Sequence, residues 1–255
     1  MLRESVLKSL VVVSIVGILS GCSATGTKQK SSATSQSTTK TLTKRQKLIQ
    51  ALPKGVKSTD SDLFLVNKWH KYDELTFTKG SINGIPVRQS VVKPMTAFLN
   101  GAKKAGYPAT IVSGYRSVAY QKQVWNDSIK TYESQGKTAK QALKLTQEYV
   151  AVPRGSEHQT GLAADIINTK WFNANGSQLL SSSDKAAGQK WLINHAVDYG
   201  LILRFPKTGE KSTGIDYESW HFRYVGKASA AFIVKHHLTL EQYVTLLQAR
   251  ESATK

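Results

Sequence analysis

The sequence predicts one small α+β domain, with a short, mostly antiparallel sheet flanked by helices. Three observations lead there. Segments with helical apolar spacing bracket a few short apolar runs and do not alternate with them regularly, which argues against a doubly wound sheet. Hydrophobic residues make up 40% of the 255 residues, and five tryptophans are present, enough to build a core. Cys22 is the single cysteine, so no intramolecular disulfide can form and the core alone must hold the fold.

The elements follow in order. Arg3 and Lys8 precede an apolar run, Leu10 to Leu19, too short to span a bilayer comfortably and of the length of a signal-peptide core. Leu19-Ser20-Gly21-Cys22 resembles a bacterial lipobox, so residues 1–22 are expected to be a lipoprotein signal peptide with Cys22 lipidated. Residues 23–60 are rich in Ser, Thr and Lys, and carry no acidic residue as far as Lys57. They are expected to be a flexible tether, since little there offsets ordering entropy. The folded domain is expected over 61–250. Leu63 to Asn67 reads as a first strand. Val91, Met95, Phe98, Leu99 and Ala102 place one apolar face on a helix over about 90–104, closed by Gly106. Ala109 to Ser113 reads as a strand. Ser117 is placed to cap a helix that Gly136 ends, and a further helix runs from Thr138 to about Val150, before Pro153. Leu162 to Ile167 reads as a buried strand. Ser183 is expected to cap a helix to Tyr199 closed by Gly200. Leu201 to Phe205 and Trp220 to Val225 read as two more strands, and helices over about 227–236 and 239–249 complete the domain.

The formal net charge of +18 would attract nucleic acid, anionic lipid or an anionic wall polymer. The leader selects among these. A chain lipid-anchored to the outer face of the bacterial cytoplasmic membrane meets membrane and wall polymers, through its basic tether, and not nucleic acid; no base-reading motif is present either.

Chemistry concentrates in two runs, Ser156 to Asp165 and Glu218 to His221. Asp165 stands among Leu162, Ala163, Ala164, Ile166 and Ile167, and a buried carboxylate is costly unless paired or metal-bound. His221 lies in another apolar strand and can also face inward. His158, Asp165 and His221 supply three ligands for a tetrahedral Zn2+ and leave one position for water. Glu218, three residues before His221, is placed to accept a proton from that water. The alternative is a set of satisfied core polar groups. His195 shares a helical face with Trp191 and Tyr199 and is expected to pack, while His236 and His237 read as an exposed helix end.

The runs Ser113-Gly114-Tyr115-Arg116-Ser117, Ser156 to Asp165 and Glu218 to Gly226 resemble those of the VanY-type zinc D-alanyl-D-alanine carboxypeptidases, from about Leu65 to Gly226. The resemblance implies removal of the terminal D-alanine from peptidoglycan stem peptides, by D,D- or L,D-carboxypeptidase action. It implies His158, Asp165 and His221 as zinc ligands and Glu218 as the catalytic glutamate. Arg116 would contact the scissile carbonyl, Ser156 and Gln121 the terminal carboxylate, and Trp220 would stand beside the site. Three positions depart from the pattern. Phe205 stands where many relatives have tyrosine, Ser219 where proline is frequent, and Leu201 where phenylalanine is common.

Two rivals are weighed. A serine-type carboxypeptidase would use Ser182 and Lys185, but the downstream partners of that motif are missing in the required order. A zinc-dependent wall-binding module without turnover would not need Glu218 and Arg116. The chain is expected to act as a monomer.

Overall fold

The computed structural model describes residues 41–254. Cys22, the signal peptide and residues 23–40 of the expected tether lie outside the described residues. The chain begins with helix α1 (Lys44–Ala51), started by a capping box in which Thr43 and Gln46 satisfy each other's backbone. Residues 44–51 therefore do not belong to a tether. Leu48 and Ile49 lean on a buried cluster that includes Leu52 and residues of the C-terminal helices, which offsets the ordering entropy that composition alone left uncompensated.

Leu63–Asn67, expected to be a strand, is not one. A short 3-10 turn (Ser61–Leu63) leads into irregular chain in which Leu63 and Val66 are buried. The carbonyls of Asp62 and Phe64 accept hydrogen bonds from the Arg223 guanidinium, so these two groups are satisfied by a side chain and not by a neighbouring strand. A hairpin of β1 (Lys79–Ile82) and β2 (Ile85–Arg88) follows. Its turn is Asn83-Gly84, both with positive φ, as a two-residue type I′ connection requires.

Helix α2 (Gln89–Lys104) buries Val91, Met95, Phe98, Leu99 and Ala102 on one face. Strand β3 (Ala109–Ser113) then leads to α3 (Val118–Ser134), capped by Ser117, and α4 (Ala139–Tyr149), capped by Thr138. Strand β4 (Ala163–Asn168) is buried at every position. It is followed by α5 (Thr169–Ala174), a short helix not anticipated from sequence.

The expected helix from Ser183 to Tyr199 is divided. A 3-10 turn (Ser181–Lys185), α6 (Ala187–His195) and a second 3-10 turn (Ala196–Tyr199) share the segment. Ser183 caps nothing there; its buried hydroxyl lies 2.7 Å from that of Ser219, an exchange that anchors the turn to the sheet. His195 stacks on Trp191 as expected. Strand β5 (Leu201–Phe205), the single-turn α7 (Glu210–Thr213), strand β6 (Glu218–Tyr224), α8 (Lys227–Lys235) and α9 (Leu240–Ser252) complete the order.

The main sheet runs β3-β4-β6-β5 and every neighbouring pair is antiparallel. Because successive side chains alternate between faces, its two faces differ sharply. One carries Ile111, Ala164, Ile166, Leu201 and Phe222 and packs on α2 and α6. Phe98 is the centre of that layer, 5.4 Å from the Phe222 ring and 5.5 Å from Tyr199. The other face carries Asp165, His221, Arg223 and Arg204, while Ile202 and Val225 lean on the cluster built by α8 and α9. Among the described residues no helix is long and apolar enough to cross a membrane.

Candidate metal centre

The polar face of the sheet gathers the residues singled out in the sequence. Asp165 and His221 are direct cross-strand partners on β4 and β6, so their side chains leave the same face side by side. His158 comes from a 3-10 turn (Glu157–Thr160) just before β4. That turn ends at Gly161, whose φ of 63° and close approach to the Arg88 amide and the Phe77 ring leave no room for a side chain. Gly114 is equally confined, against the Pro86 carbonyl, and its own carbonyl accepts a 2.6 Å hydrogen bond from His158 Nδ1. That bond leaves Nε2 of His158 as the nitrogen that faces Asp165 Oδ2, at 3.4 Å. On the other side His221 Nδ1 lies 3.2 Å from Asp165 Oδ1.

One ligand atom from each of these three residues falls within 4.8 Å of the others, and all three residues are buried. Around a tetrahedral zinc with bonds of about 2.0 Å, ligand atoms stand about 3.3 Å apart, and each carboxylate oxygen of Asp165 lies at a comparable distance from one imidazole, 3.4 and 3.2 Å. Asp165 Oδ1 is buried with no hydrogen-bond partner, a costly position that a cation contact relieves. Two imidazoles and a carboxylate are also the nitrogen and oxygen donors zinc accepts. The site fits the metal.

Burial and neighbouring charge perturb every ionisable group of the cluster. Burial opposes the charge on Asp165, but the two imidazoles outweigh it and hold the carboxyl well below the usual carboxylate range. Burial pushes the His158 pKa down, which favours the neutral, ligating form. Burial works against charge on His221 too, yet its contacts with Asp165 and Glu157 raise it to about 9. Glu218 Oε2 sits 3.6 Å from His221 Nδ1. Burial pushes the Glu218 carboxyl up to about 8, Asp165 adds to the shift, and His221 and Arg116 oppose it.

Glu218 and His221 are three apart, and in an unbroken strand they would point to opposite faces. Both nevertheless line the cavity, and the strand register is irregular between them. Leu203 pairs with Phe222 and Phe205 with Glu218, so residues 219–221 of β6 stand opposite Arg204 alone. A bulge of this kind bends a strand and re-aims its side chains.

The cavity at the cluster is lined by residues of α3 and α4 and by Phe205, Ile215 and Trp220. Arg116, Gln121, Ser156 and Trp220 all line it, together with Lys68. Arg116 donates to Gln121 Oε1 at 2.9 Å and to Ser113 Oγ at 3.1 Å. Gln121 in turn donates to the Ala151 carbonyl at 2.7 Å, so both its polar atoms are engaged and it works as a brace for Arg116. The Ser156 hydroxyl makes no capping bond to the turn it opens. Phe205 packs against the His221 ring, centroids 4.8 Å apart. Ser182 and Lys185, needed by the serine-type rival, are exposed and outside this cavity.

Sequence reasoning missed four charged residues beside the site. Arg204 and Arg223 are fully buried and both donate to Glu157 Oε1, at 2.8 and 2.6 Å. Arg204 also pairs with Glu241 at 2.5 Å. The signal was available: an arginine in the middle of an apolar strand, as in Leu201 to Phe205, needs a buried counter-ion.

Residues 84–227 match the protein family described as "VanY: D-alanyl-D-alanine carboxypeptidase". Over 157 residues the chain is 38% identical to the putative carboxypeptidase YodJ of Bacillus subtilis, covering 62% of this chain and 53% of that protein. Over 145 residues it is 33% identical to a D-alanyl-D-alanine carboxypeptidase of Enterococcus faecalis, covering 57% and 50% respectively. The aligned part thus spans about half the length of these curated relatives. Among solved structures it is similar to the vancomycin-resistance D,D-pentapeptidase VanY in complex with Zn(II), with a TM-score of 0.64 at 28% identity, over 72% of this chain and 99% of that one. The LdcB LD-carboxypeptidase is similar with a TM-score of 0.58 at 33% identity, over 72% and 87%.

Proposed function

The chain belongs to the VanY family of D-alanyl-D-alanine carboxypeptidases, and from that premise we propose that it is a zinc-dependent carboxypeptidase that removes the C-terminal D-alanine from peptidoglycan stem peptides. The observation that carries this reading is the convergence of His158, Asp165 and His221 with Glu218 beside them. Relatives solved with Zn(II) and with D-Ala-D-Ala support it.

His158 Nε2, Asp165 and His221 Nδ1 hold the metal in this reading. When bound, zinc lowers the pKa of a coordinated water to about 7 and polarises the scissile carbonyl. Glu218 accepts a proton as the water oxygen adds to the carbonyl carbon, and returns it to the departing nitrogen as the C–N bond breaks. The products are free D-alanine and a peptide one residue shorter with a new carboxylate. Arg116, held in place by Gln121 and Ser113, directs its guanidinium at the negative charge that grows on the carbonyl oxygen. Such preorganised donors supply much of the rate enhancement in acyl transfer. The Ser156 hydroxyl serves the terminal carboxylate, which makes the enzyme an exopeptidase. Trp220 and Phe205 form an apolar wall that keeps bulk water from the reacting groups.

A D,D-pentapeptidase and two L,D-carboxypeptidases stand among the similar structures, and the reading covers both activities. Cys22 is proposed as the lipid anchor at the outer membrane face, with the basic segment after it drawn to anionic wall polymers and the domain acting as a monomer. The test uses the purified chain on muropeptides ending in L-Lys-D-Ala and in D-Ala-D-Ala, with and without a chelator, read by mass spectrometry. D-alanine release from at least one substrate, stopped by the chelator and restored by zinc, is the expected result. A zinc-loaded chain that releases D-alanine from neither would overturn the reading.

A further inference from the structure

The chemistry proposed above leaves one buried carboxylate at the centre without a role, Glu157. We propose that Glu157 is a positioning residue: it faces the far nitrogen of His221 and so fixes which nitrogen is presented to the cation. The inference rests on the metal reading and adds to it a reason for the orientation of the ring.

The two nitrogens of His221 have different surroundings. Nδ1 faces Asp165 Oδ1 at 3.2 Å and Glu218 Oε2 at 3.6 Å. Nε2 faces Glu157 Oε2 at 3.6 Å, a little beyond hydrogen-bond length. Both Nε2 and Glu157 Oε2 are buried without another hydrogen-bond partner. Each would incur the desolvation cost of an unpaired buried group unless they close on each other. A shift of a few tenths of an ångström makes that bond. A metal-ligating histidine characteristically donates its other ring N–H to such a carboxylate, which sets its tautomer and its angle.

Glu157 is itself held rigidly. Its other oxygen, Oε1, takes Arg204 Nε at 2.8 Å and Arg223 Nη1 at 2.6 Å. Arg204 is braced from behind by Glu241 at 2.5 and 3.0 Å. Arg223 is braced by the carbonyls of Asp62 at 3.0 Å and Phe64 at 2.9 Å. Two arginines against Glu157 and Glu241 balance in charge, so Glu157 does not need a proton from His221 to remain ionised. Asp62, Phe64 and Glu241 lie on either side of the family-matched residues 84–227. The entry segment and α9 therefore set the angle of a ring that the central strands carry.

The test measures metal binding and ring chemistry on the full chain, not turnover. Zinc affinity is obtained by competition with a chromophoric chelator for the wild type and for Glu157→Gln, with circular dichroism to check the fold. In parallel, NMR of the isotope-labelled wild type bound to cadmium reads which imidazole nitrogens couple to the metal. The expected result is coupling through Nδ1 of His221 and Nε2 of His158, with the His221 proton on Nε2. Glu157→Gln is expected to bind zinc about 10- to 100-fold more weakly with its circular dichroism retained. Wild-type zinc affinity in a folded Glu157→Gln chain, or metal coupling through Nε2 of His221, overturns this inference alone. Should Glu157→Gln fail to fold, the wild-type coupling pattern decides. A wild-type chain that binds neither metal overturns the metal reading and this inference with it.

Discussion

Replacing Glu218 by glutamine tests the proposed chemistry at its most exposed point. The amide keeps the size of the side chain and its place in β6, but it cannot take up a proton. Its carboxylate lies 3.6 Å from the nearest ligand atom, Nδ1 of His221, and is not one of the three residues that gather for the metal. Zinc content should therefore stay stoichiometric. Positioned general acid–base groups contribute about 10²- to 10⁴-fold, which corresponds to roughly 2.7–5.4 kcal/mol of transition-state stabilisation. Glu218 handles a proton twice in each turnover, so the loss in kcat should fall toward the upper end of that range. KM should change far less, because Arg116 and Ser156, which are assigned the substrate contacts, are untouched. The assay follows D-alanine release by chromatography and mass spectrometry, with metal content measured on the same preparation. A kcat within tenfold of wild type at equal zinc content would refute the role given to Glu218.

Three further outcomes are expected. His221→Ala should lose both bound zinc and activity, and unchanged zinc by elemental analysis would remove it from the ligand set. Arg116→Lys should lower kcat about 10²-fold with zinc retained, because one ammonium cannot reproduce the fork that bonds Gln121 and Ser113 while it faces the substrate; steady-state kinetics on whichever of the two muropeptides is cleaved would show it. Phe98→Ala removes a fully buried ring from the layer between α2 and the sheet and should cost about 3–5 kcal/mol. Calorimetry should then give a Tm lower by roughly 6–20 °C for a domain of this size, whereas a loss of only a degree or two would mean that the layer repacks.

The elements that frame the site were legible because their signals are local. Asp165 was conspicuous as a charge inside an apolar strand, and the capping serine and threonine before α3 and α4 stood where the helices begin. Failures came where a local signal was outweighed or where partners are distant. Leu63 to Asn67 has strand-like apolarity, but the carbonyls of Asp62 and Phe64 bond a guanidinium 161 and 159 residues away. The Asn83-Gly84 turn was a hairpin signal, obscured by flanking strands of only four residues, one containing Pro86. Thr43 and Gln46 marked a helix start inside a segment whose overall composition suggested disorder. Glu157 was passed over because it sits beside a better-recognised histidine, and its partners lie 47 and 66 residues further on, beyond any periodicity.

The bulge where residues 219–221 stand against Arg204 makes the interval between Glu218 and His221 a matter of counting. Removing Ser219 or inserting a residue beside it would swing the proton carrier off the cavity even if every side chain kept its identity.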